Sequence, residues 1–501
     1  MKNIVVSVPP LETHRPPISS AIIASILENA GQEVEVVDLN IEFYKFLGDD
    51  EYYSLDSVWE SNRSITPEET NSIRSFINKK FITKLDINTR VLISVFAKTS
   101  FIFSKILCEE IRKNYPQCEI ILGGQGVSNS GTVNNDVKNN SITFGAYMLQ
   151  SNLCDHVIFG EGEVALSELL KGNLQYPGID SDLNLEQINN LDVLPFPDYK
   201  FYDLNDYDYL EDKKEVNIYG SRGCVRKCTY CDVAVAWPKY RYRSGGNIAT
   251  EIIGHYEKHG VTKFYFTDSL VNGSLKAFRD MCETLAKYNQ DNNVNFSWGG
   301  QFIFRPKRQL TDDYFDMIAA AGGDTFYVGV ETGSDKIRWE MDKKFTNEDI
   351  DYHLEHFQRT GLRCFFLMVC GYLTETLDDH NEILKMYPRW QKYVASGTIT
   401  GIDLGKTLTF DANTPLEGMI TTHGVEFLAY EKDILDNLKP NAMIWESKLN
   451  PDLTFRERMR RRLEIHETAM KYKWPIWRGP QRLEGVLHLA KLFTEQENVQ
   501  I

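Results

Sequence analysis

The chain has 501 residues, more than one hydrophobic core usually organises, which predicts two or three domains. Hydrophobic residues make up 42% and charged residues 25%, and the formal net charge of -16 argues against binding nucleic acid through the overall field. No apolar run approaches the roughly 18–20 residues that cross a bilayer. The N-terminus reads as a strand rather than a signal peptide, so we expect a cytoplasmic protein with reduced thiols and no membrane association.

The first third of the chain alternates predicted strands and helices. β-Branched apolar runs predict strands at 3–8, 33–39, 90–96, 118–124 and 155–160. Amphipathic segments predict helices at 18–31, 67–84 and 101–114, the second of them inside an acidic, aromatic insertion at 40–86. Parallel sheets with crossover helices produce this pattern, and their ligands bind at the carboxyl ends of the strands. Residues 1–171 are therefore predicted to form a Rossmann-like α/β domain.

A polar, proline-containing linker at 172–204 precedes a second βα series. Its predicted strands are 215–220, 263–268, 295–300, 325–331, 364–371 and 400–410, separated by helices such as 246–259, 274–289, 311–321 and 347–360. Six βα units predict a partial (β/α)6 barrel over 205–410. The remaining residues, 411–501, are predicted to be mostly helical, with the basic stretch 456–462 on a solvated helix face.

Three of the nine cysteines lie close together directly after the first predicted barrel strand. Cys224, Cys228 and Cys231 form a C-x3-C-x2-C pattern, and no fourth cysteine is near in sequence. Zinc sites that stabilise a fold usually take four protein ligands, whereas three thiolates on a [4Fe–4S] cluster leave one iron open to an external ligand. The pattern favours the cluster, and a zinc knuckle is the alternative.

The cysteine loop, with Tyr230 just before its last cysteine, resembles that of the radical S-adenosylmethionine (SAM) superfamily. The resemblance implies that the amino and carboxylate groups of SAM bind the open iron. It also implies that one electron from the cluster cleaves SAM to a 5′-deoxyadenosyl radical. An electron donor such as flavodoxin or ferredoxin is then expected as a partner.

Functional groups gather at the carboxyl ends of barrel strands, and polar side chains stand there in this sequence. They are Asp268, Gln301, Glu331, Tyr372 and Lys406. The stretch "YVGVETGSD" resembles the fourth-strand motif of the superfamily, which implies that Glu331 lies near the SAM ribose and amino group. Similar resemblances around the second strand and after the cysteine loop imply that Asp268 faces SAM and that Arg243 pairs with its carboxylate.

The SAM-binding residues expected from these resemblances are Tyr230, Asp268, Glu331, Arg243 and Gln301. A helix cap or a structural salt bridge is the alternative for each polar residue. Tyr372 departs from the family pattern, because a shorter or different residue is frequent at its position.

The N-terminal domain and barrel together, roughly residues 1–410, resemble the cobalamin-binding subfamily of radical SAM enzymes. The resemblance is carried by the first strand and helix and by "ILGGQGVSNSG" and "IFGEGEVALSELL", whose small residues let a flat corrin approach the backbone. The implied cobalamin contacts are His14, Gly123, Gly124, Ser128, Gly160 and Glu161.

His14 would be the lower cobalt ligand if "ETHRPP" replaced the D-x-H-x-x-G loop of other cobalamin domains. Glu12 and His14 match that loop loosely, and Pro17 stands in place of its glycine. The alternative is a surface histidine in a chain whose cobalt is unligated from below.

The leading functional prediction is a cobalamin-dependent radical SAM methyltransferase that acts on an unactivated carbon or phosphinate centre of a small molecule. One alternative is an enzyme that uses the same cofactors for a rearrangement or cyclisation. A methylthiotransferase-like enzyme is disfavoured, because Cys108, Cys118 and Cys154 do not fall at three matching loop ends. A non-catalytic sensor is disfavoured by the intact cysteine set. No residue is assigned to the chemical step itself, and Cys370 is expected either to be buried or to face the barrel mouth.

Overall fold

The computed structural model describes residues 1–49, 51–52, 65–128, 142–207, 214–405, 407–411, 413–432 and 438–478. Lys406, predicted to lie at the end of the sixth barrel strand, is outside the described residues, as is 479–501 of the predicted helical region. Two compact units are present. The first is chiefly Met1–Asn217 with His255–Val261, and the second is chiefly Ile218–Gly254, Thr262–Glu431 and the described residues from Leu438 onward.

A five-stranded sheet is the centre of the first unit. Its strands are β1 (Lys2–Ser7), β2 (Val34–Asp38), β3 (Thr89–Ser94), β4 (Glu119–Gly123) and β5 (His156–Ile158). The order is β2-β1-β3-β4-β5, and neighbouring strands pair in parallel. From β1 the chain adds β2 on one side of the sheet and β3 on the other side. The carboxyl ends of β1 and β3 therefore form a topological switch point, where such sheets bind ligands.

Helices cover this sheet, which explains its apolar strands. They are α1 (Ile18–Asn29), α2 (Leu39–Leu47), α3 (Pro67–Lys80), α4 (Phe101–Asn114), α5 (Phe144–Gln150) and α6 (Gly162–Leu170). Thr66 begins α3 with a capping box, in which its side chain accepts from the backbone of Glu69 and Glu69 reaches back to Thr66. The predicted linker is partly integrated into this unit, because the backbone N–H of Phe159 donates to the carbonyl of Gly178 over 2.8 Å.

A six-stranded sheet is the centre of the second unit, in the order β13-β12-β11-β10-β9-β6. Its strands are β6 (Glu215–Ile218), β9 (Lys263–Phe266), β10 (Ser297–Phe302), β11 (Gly323–Glu331), β12 (Arg363–Met368) and β13 (Ile399–Asp403). Two short strands, β7 (Ser221–Arg222) and β8 (Arg241–Tyr242), pair with each other on either side of the cysteine loop. The predicted parallel α/β class with six barrel strands is confirmed.

The helices of the second unit up to β13 are α7 (Val233–Ala236), α8 (Gly245–His259), α9 (Leu275–Asn292), α10 (Tyr314–Ala320), α11 (Asp335–Glu340), α12 (Asn347–Thr360) and α13 (Leu377–Ala395). Strands β10 and β12 alternate buried and half-buried residues. The buried side chains form an aromatic core, in which Trp298 and Phe326 pack edge to face with centroids 5.5 Å apart. The half-buried face, with Gln301 and Tyr327 side by side in register, is the opposite face of the sheet.

The C-terminal region is less uniformly helical than predicted. Its described part contains α14 (Met419–His423) and α15 (Phe455–Lys471). It also contains four strands, β14 (Val425–Phe427), β15 (Tyr430–Lys432), β16 (Leu438–Pro440) and β17 (Trp445–Ser447), in two two-stranded sheets. Each strand has only three residues, too few for an apolar alternation to be recognised in the sequence.

The basic stretch in α15 is solvated only in part, because Arg456 and Arg460 are exposed and three other arginines are not. Arg458, Arg461 and Arg462 are buried. The Arg461 guanidinium pairs with Glu375 over 3.1 Å, and Arg458 stacks 3.7 Å above the Trp445 ring. Among the described residues, no helix is long and apolar enough to cross a membrane.

Candidate functional site

The cysteine loop follows β7 and ends where α7 begins. Cys224, Cys228 and Cys231 are half-buried, whereas the other six cysteines of the chain are buried. Within the loop, the backbone N–H of Cys231 donates to the carbonyl of Cys228 over 3.1 Å. The backbone N–H of Arg226 donates to the Cys224 sulfur over 3.4 Å. Backbone donors thus already point at a ligand sulfur.

These thiols suit an anionic iron–sulfur cluster. Burial raises the pKa of each thiol, that of Cys231 to about 11, so each thiol keeps its proton until a metal displaces it. No three His, Cys, Asp or Glu side chains among the described residues are placed to hold one metal ion. A [4Fe–4S] cluster does not require such a group, because three of its irons take one thiolate each and the fourth iron takes none from the protein. The donor set therefore fits the predicted cluster.

Thr229 fastens the middle of the cysteine loop to three other segments. Its backbone N–H donates to the carbonyl of Met341 over 3.2 Å, and its carbonyl accepts from the N–H of Leu416 over 2.8 Å. Its side-chain oxygen lies 2.8 Å from the hydroxyl of Tyr372. The residue at which the sequence departs from the family pattern, Tyr372, thus supports the cysteine loop.

Asp268 fastens the start of the same loop. One carboxylate oxygen accepts from the backbone N–H of Gly220 over 2.8 Å, and the other accepts from the Ser221 hydroxyl over 2.5 Å. Burial raises the pKa of Asp268 to about 7, against these hydrogen bonds and the charge of Arg243, which lower it. The structure thus places Asp268 behind the loop entrance, and its contact with SAM stays a prediction.

Arg243 lies on the same side of the loop and is almost fully buried. Its guanidinium donates to the carbonyl of Tyr219 over 2.7 Å and forms an ion pair with Glu251. Its own N–H donates to the carbonyl of Gly220 over 2.8 Å. These contacts give Arg243 a carboxylate partner inside the protein, and its pairing with SAM stays a prediction.

Glu331 ends β11 and lies next to the cysteine loop. Its φ angle of +65° is in the left-handed region, which a residue with a side chain adopts only when its surroundings impose it. Its carboxylate accepts a hydrogen bond from Lys343 over 2.5 Å, and it interacts electrostatically with Tyr230 and Cys228. Of the predicted SAM residues, the structure therefore brings Glu331 and Tyr230 together at the cysteines, while Gln301 lies on the half-buried face of β10.

Sequence reasoning missed Lys343. Its ammonium lies 5.8 Å from the centroid of the Tyr230 ring as well as against Glu331. Burial lowers the pKa of Lys343, but the negative charges of Glu331 and Cys228 raise it by more. The pKa of Lys343 is therefore above its ordinary value. The only sequence signal was a pair of adjacent lysines, Lys343 and Lys344, after α11, and nothing in the letters distinguishes them.

The predicted cobalamin residues lie at the carboxyl edge of the first unit's sheet. Gly124, Ser128 and Gly160 are exposed, and Gly123 is half-buried. A side chain at Gly124, whose φ is +98°, would place its Cβ 2.5 Å from the carbonyl oxygen of Val95. The loop after β4 therefore lies directly against the end of β3. This close approach is sufficient reason for a glycine at position 124, whether or not a ligand binds there.

Small and apolar surface is nonetheless exposed at this edge. Phe96, just beyond β3, is 62% exposed, and the sequence reasoning did not single it out. Ser94, at the end of β3, lies in register with Ser7 and its hydroxyl is 2.9 Å from that of Ser19. Ser94 is itself buried, so the surface open to a flat corrin at this switch point consists of the exposed glycines, Ser128 and the Phe96 ring.

His14 and Glu161, the other two predicted cobalamin residues, also lie in the first unit. His14 is half-buried in the loop after β1, where its neighbours Glu12 and Arg15 form an ion pair. Glu161 is buried, and its carboxylate accepts from the backbone N–H of Ile188 over 2.9 Å. It thereby holds the segment that follows α6, and both cobalamin contacts stay predictions.

Comparison with known proteins relates this geometry to characterised chemistry. Residues 218–387 match the model of the Radical SAM superfamily. The chain is 22% identical over 409 residues to cytidylyl-2-hydroxyethylphosphonate methyltransferase of Streptomyces wedmorensis. The match covers 72% of this chain and 71% of that protein. The chain is also 26% identical over 196 residues to anaerobic magnesium-protoporphyrin IX monomethyl ester cyclase of Synechocystis sp.. That match covers 35% of this chain and 37% of the cyclase.

A solved structure has the same layout. It is the radical S-adenosylmethionine methyltransferase TsrM from Kitasatospora setae with cobalamin and a [4Fe–4S] cluster bound. The TM-score is 0.59 at 15% identity, and the match covers 88% of this chain and 82% of TsrM. The matched family model includes the cysteine loop and ends before the last barrel strand, β13. The barrel is therefore similar to the Radical SAM superfamily over residues 218–387, and the chain has the same fold as TsrM, whose structure contains cobalamin.

Proposed function

We propose that this chain is a cobalamin-dependent radical SAM methyltransferase acting on an unactivated carbon or phosphinate centre of a small molecule. The observation that carries the proposal is the half-buried loop of Cys224, Cys228 and Cys231, fastened beside Glu331 in a barrel of this superfamily. Two similar proteins, from S. wedmorensis and K. setae, are methyltransferases, and the second is a complex with cobalamin.

When bound, the cluster and SAM supply a carbon-centred radical, and the corrin supplies the methyl group. The chain's own residues bind and orient these groups. The three thiolates hold the cluster, while Asp268 and Thr229 fix the two parts of the loop that carry them. Five residues of the barrel are proposed to contact SAM, namely Tyr230, Asp268, Glu331, Arg243 and Gln301.

The first unit is proposed to hold the corrin at the carboxyl edge of its sheet. The proposed contacts are His14, Gly123, Gly124, Ser128, Gly160 and Glu161, to which the exposed ring of Phe96 is added. A metabolite-sized substrate and a flavodoxin or ferredoxin that donates the electron complete the proposal.

Anaerobic reconstitution with iron, sulfide and hydroxocobalamin tests the cofactor assignment. We expect about four irons per chain, a cluster shoulder and a corrin band in the visible spectrum, and release of 5′-deoxyadenosine from SAM with dithionite. Cys228→Ala should lose both cluster and SAM cleavage, while Cys282→Ala, which alters a buried cysteine of α9, should keep them. SAM cleavage retained in Cys228→Ala would refute the cluster assignment. A cluster without bound corrin would refute the methyl-transfer route alone.

A cyclisation or rearrangement is the second candidate, favoured by the likeness to the Synechocystis cyclase over part of the chain. The two reactions differ in the fate of the SAM methyl group. A methyltransferase converts SAM carrying a deuterated methyl group to S-adenosylhomocysteine and keeps the label on the corrin or the product. Release of 5′-deoxyadenosine with no S-adenosylhomocysteine, in protein that contains corrin, would favour the second candidate.

A further inference from the structure

The ion pair between Glu331 and Lys343 occupies a space that the sheet leaves open for it. Gly329 lies two residues before Glu331 on β11, and a Cβ at Gly329 would lie 2.6 Å from the Lys343 ammonium and collide with the Glu331 carboxylate. A side chain at Gly329 would force the ends of both partners to move from this arrangement. The side chains of Glu331 and Lys343 are both largely buried, at 8% and 13% exposure.

Lys343 is also held beside the cysteine loop by the backbone. The carbonyl of Met341, two residues earlier, accepts from the N–H of Thr229 over 3.2 Å, which ties the lysine's segment to the residue after Cys228. The Lys343 ammonium faces the Tyr230 ring at 5.8 Å, and its charge acts on the thiols of Cys228 and Cys231. One cation therefore pairs with Glu331, the residue predicted to lie near the SAM ribose and amino group, and acts electrostatically on two predicted cluster ligands.

We propose that Lys343 is a positioning residue for both cofactors of the barrel. It holds the Glu331 carboxylate in one orientation for the SAM ribose and amino group, and its positive charge stabilises the additional electron of the reduced cluster. The inference rests on the proposed function and adds a residue to which the superfamily resemblance gave no role.

Two measurable consequences follow from the charge and the hydrogen bond. Loss of the cation beside the thiolates makes the cluster harder to reduce, because a buried charge is poorly screened by solvent. Loss of the charged hydrogen bond frees the Glu331 carboxylate, and such a bond is worth enough to change SAM affinity by about tenfold.

The test compares two adjacent lysines in reconstituted, full-length protein. Lys343→Met should keep the wild-type iron content, shift the cluster midpoint potential to more negative values and weaken SAM binding about tenfold. Lys344→Met is the matched control, because Lys344 is 48% exposed and pairs with Asp342, and it should change neither quantity. Lys343→Arg should restore most of the potential, because it restores the charge. Midpoint potentials are measured by mediated titration with EPR detection, and SAM binding by calorimetry.

A second variant keeps the inference open to refutation if Lys343→Met fails to assemble. Glu331→Gln removes the negative partner and leaves Lys343 charged, so the midpoint potential should shift in the opposite direction, to less negative values. A Lys343→Met cluster with the wild-type potential, or a Glu331→Gln shift to more negative values, would overturn the inference and leave the proposed function intact. A wild-type chain that takes up no cluster would overturn both.

Discussion

The hydroxyl of Tyr372 lies 2.8 Å from Oγ1 of Thr229 and joins the end of the fifth barrel strand to the cysteine loop. Thr229 stands directly between Cys228 and Tyr230. The two side chains are both buried, so water does not replace the hydrogen bond when it is lost.

Tyr372→Phe removes only this hydroxyl and leaves the Thr229 oxygen without its buried partner. We expect a loss of about 1–2 kcal/mol in the free energy of unfolding of the apoprotein. Urea unfolding followed by tryptophan fluorescence measures it. Tyr430→Phe is the control, because Tyr430 is 53% exposed, and it should be neutral. Equal stabilities for the two variants would show that the hydrogen bond contributes nothing.

The stability of the second unit should depend on the protonation of Asp268. Burial raises the pKa of this carboxyl from 3.8 to about 7 in the folded chain. The folded state therefore binds more protons than the unfolded state between these values, and stability falls as the pH rises towards 7. Asp268→Asn mimics the protonated form, so we expect wild type to lose stability relative to this variant between pH 5 and pH 8, by urea unfolding at about four pH values.

Asp313→Asn provides a contrast of opposite sign. Hydrogen bonding to Arg279 lowers the pKa of Asp313 to about 2, so any stability from this group is lost only as the pH falls through that region. The difference between wild type and Asp313→Asn should therefore stay constant over the range in which the Asp268→Asn difference changes. A constant difference for Asp268→Asn as well would mean that Asp268 is ionised throughout.

Gly329→Ala should disrupt the Glu331–Lys343 pair without altering any charge. The added methyl group would force the ends of both flexible side chains to move, so we expect a loss of about 1 kcal/mol of stability, the low end of overpacking costs. Gly246→Ala is the control, because a Cβ there meets no atom within 4 Å and Gly246 lies in helix α8, where alanine is favoured. Calorimetric SAM titration and urea unfolding should both show a defect in Gly329→Ala alone. Wild-type behaviour would show that the pair can relax around the methyl group.

The nine cysteines should divide into two reactivity classes in the native apoprotein. Six are buried, namely Cys108, Cys118, Cys154, Cys282, Cys364 and Cys370. Burial raises the pKa of Cys370 to about 12, so this thiol stays protonated as well as inaccessible to an alkylating reagent. Iodoacetamide should label Cys224, Cys228 and Cys231 first, and reconstitution should protect them, as peptide mass spectrometry would show. Early labelling of Cys370 would instead place it at an open barrel mouth.

Local spacing predicted the part of the site that lies within one loop. The pattern of Cys224, Cys228 and Cys231 specified the cluster loop, because its ligands are neighbours in sequence. The βα rhythm predicted both sheets, because each strand and each helix is formed by residues that are continuous in sequence. Contacts between distant segments were not predictable in this way. The hydrogen bond from Tyr372 to Thr229 joins residues 143 positions apart.

Buried charge was the feature that sequence reasoning handled worst. The arginines of α15 were predicted to be at the surface and Lys343 was not singled out, because isolated charges are rarely buried. Their partners are supplied by other parts of the fold: Glu331 for Lys343, and Glu375 for Arg461. Arg458 instead stacks on Trp445 and donates to its carbonyl oxygen over 2.5 Å. A run of basic letters does not reveal such partners.

The attachment of Thr229 through its own backbone has a consequence for how the protein matures. The bonds to Met341 and Leu416 use peptide groups alone and need no metal. Unlike small domains that fold only around their metal, the polypeptide is therefore expected to complete its tertiary structure before iron is delivered. Delivery then becomes a late step on a finished scaffold, and protein made under iron shortage can be kept and loaded when iron returns.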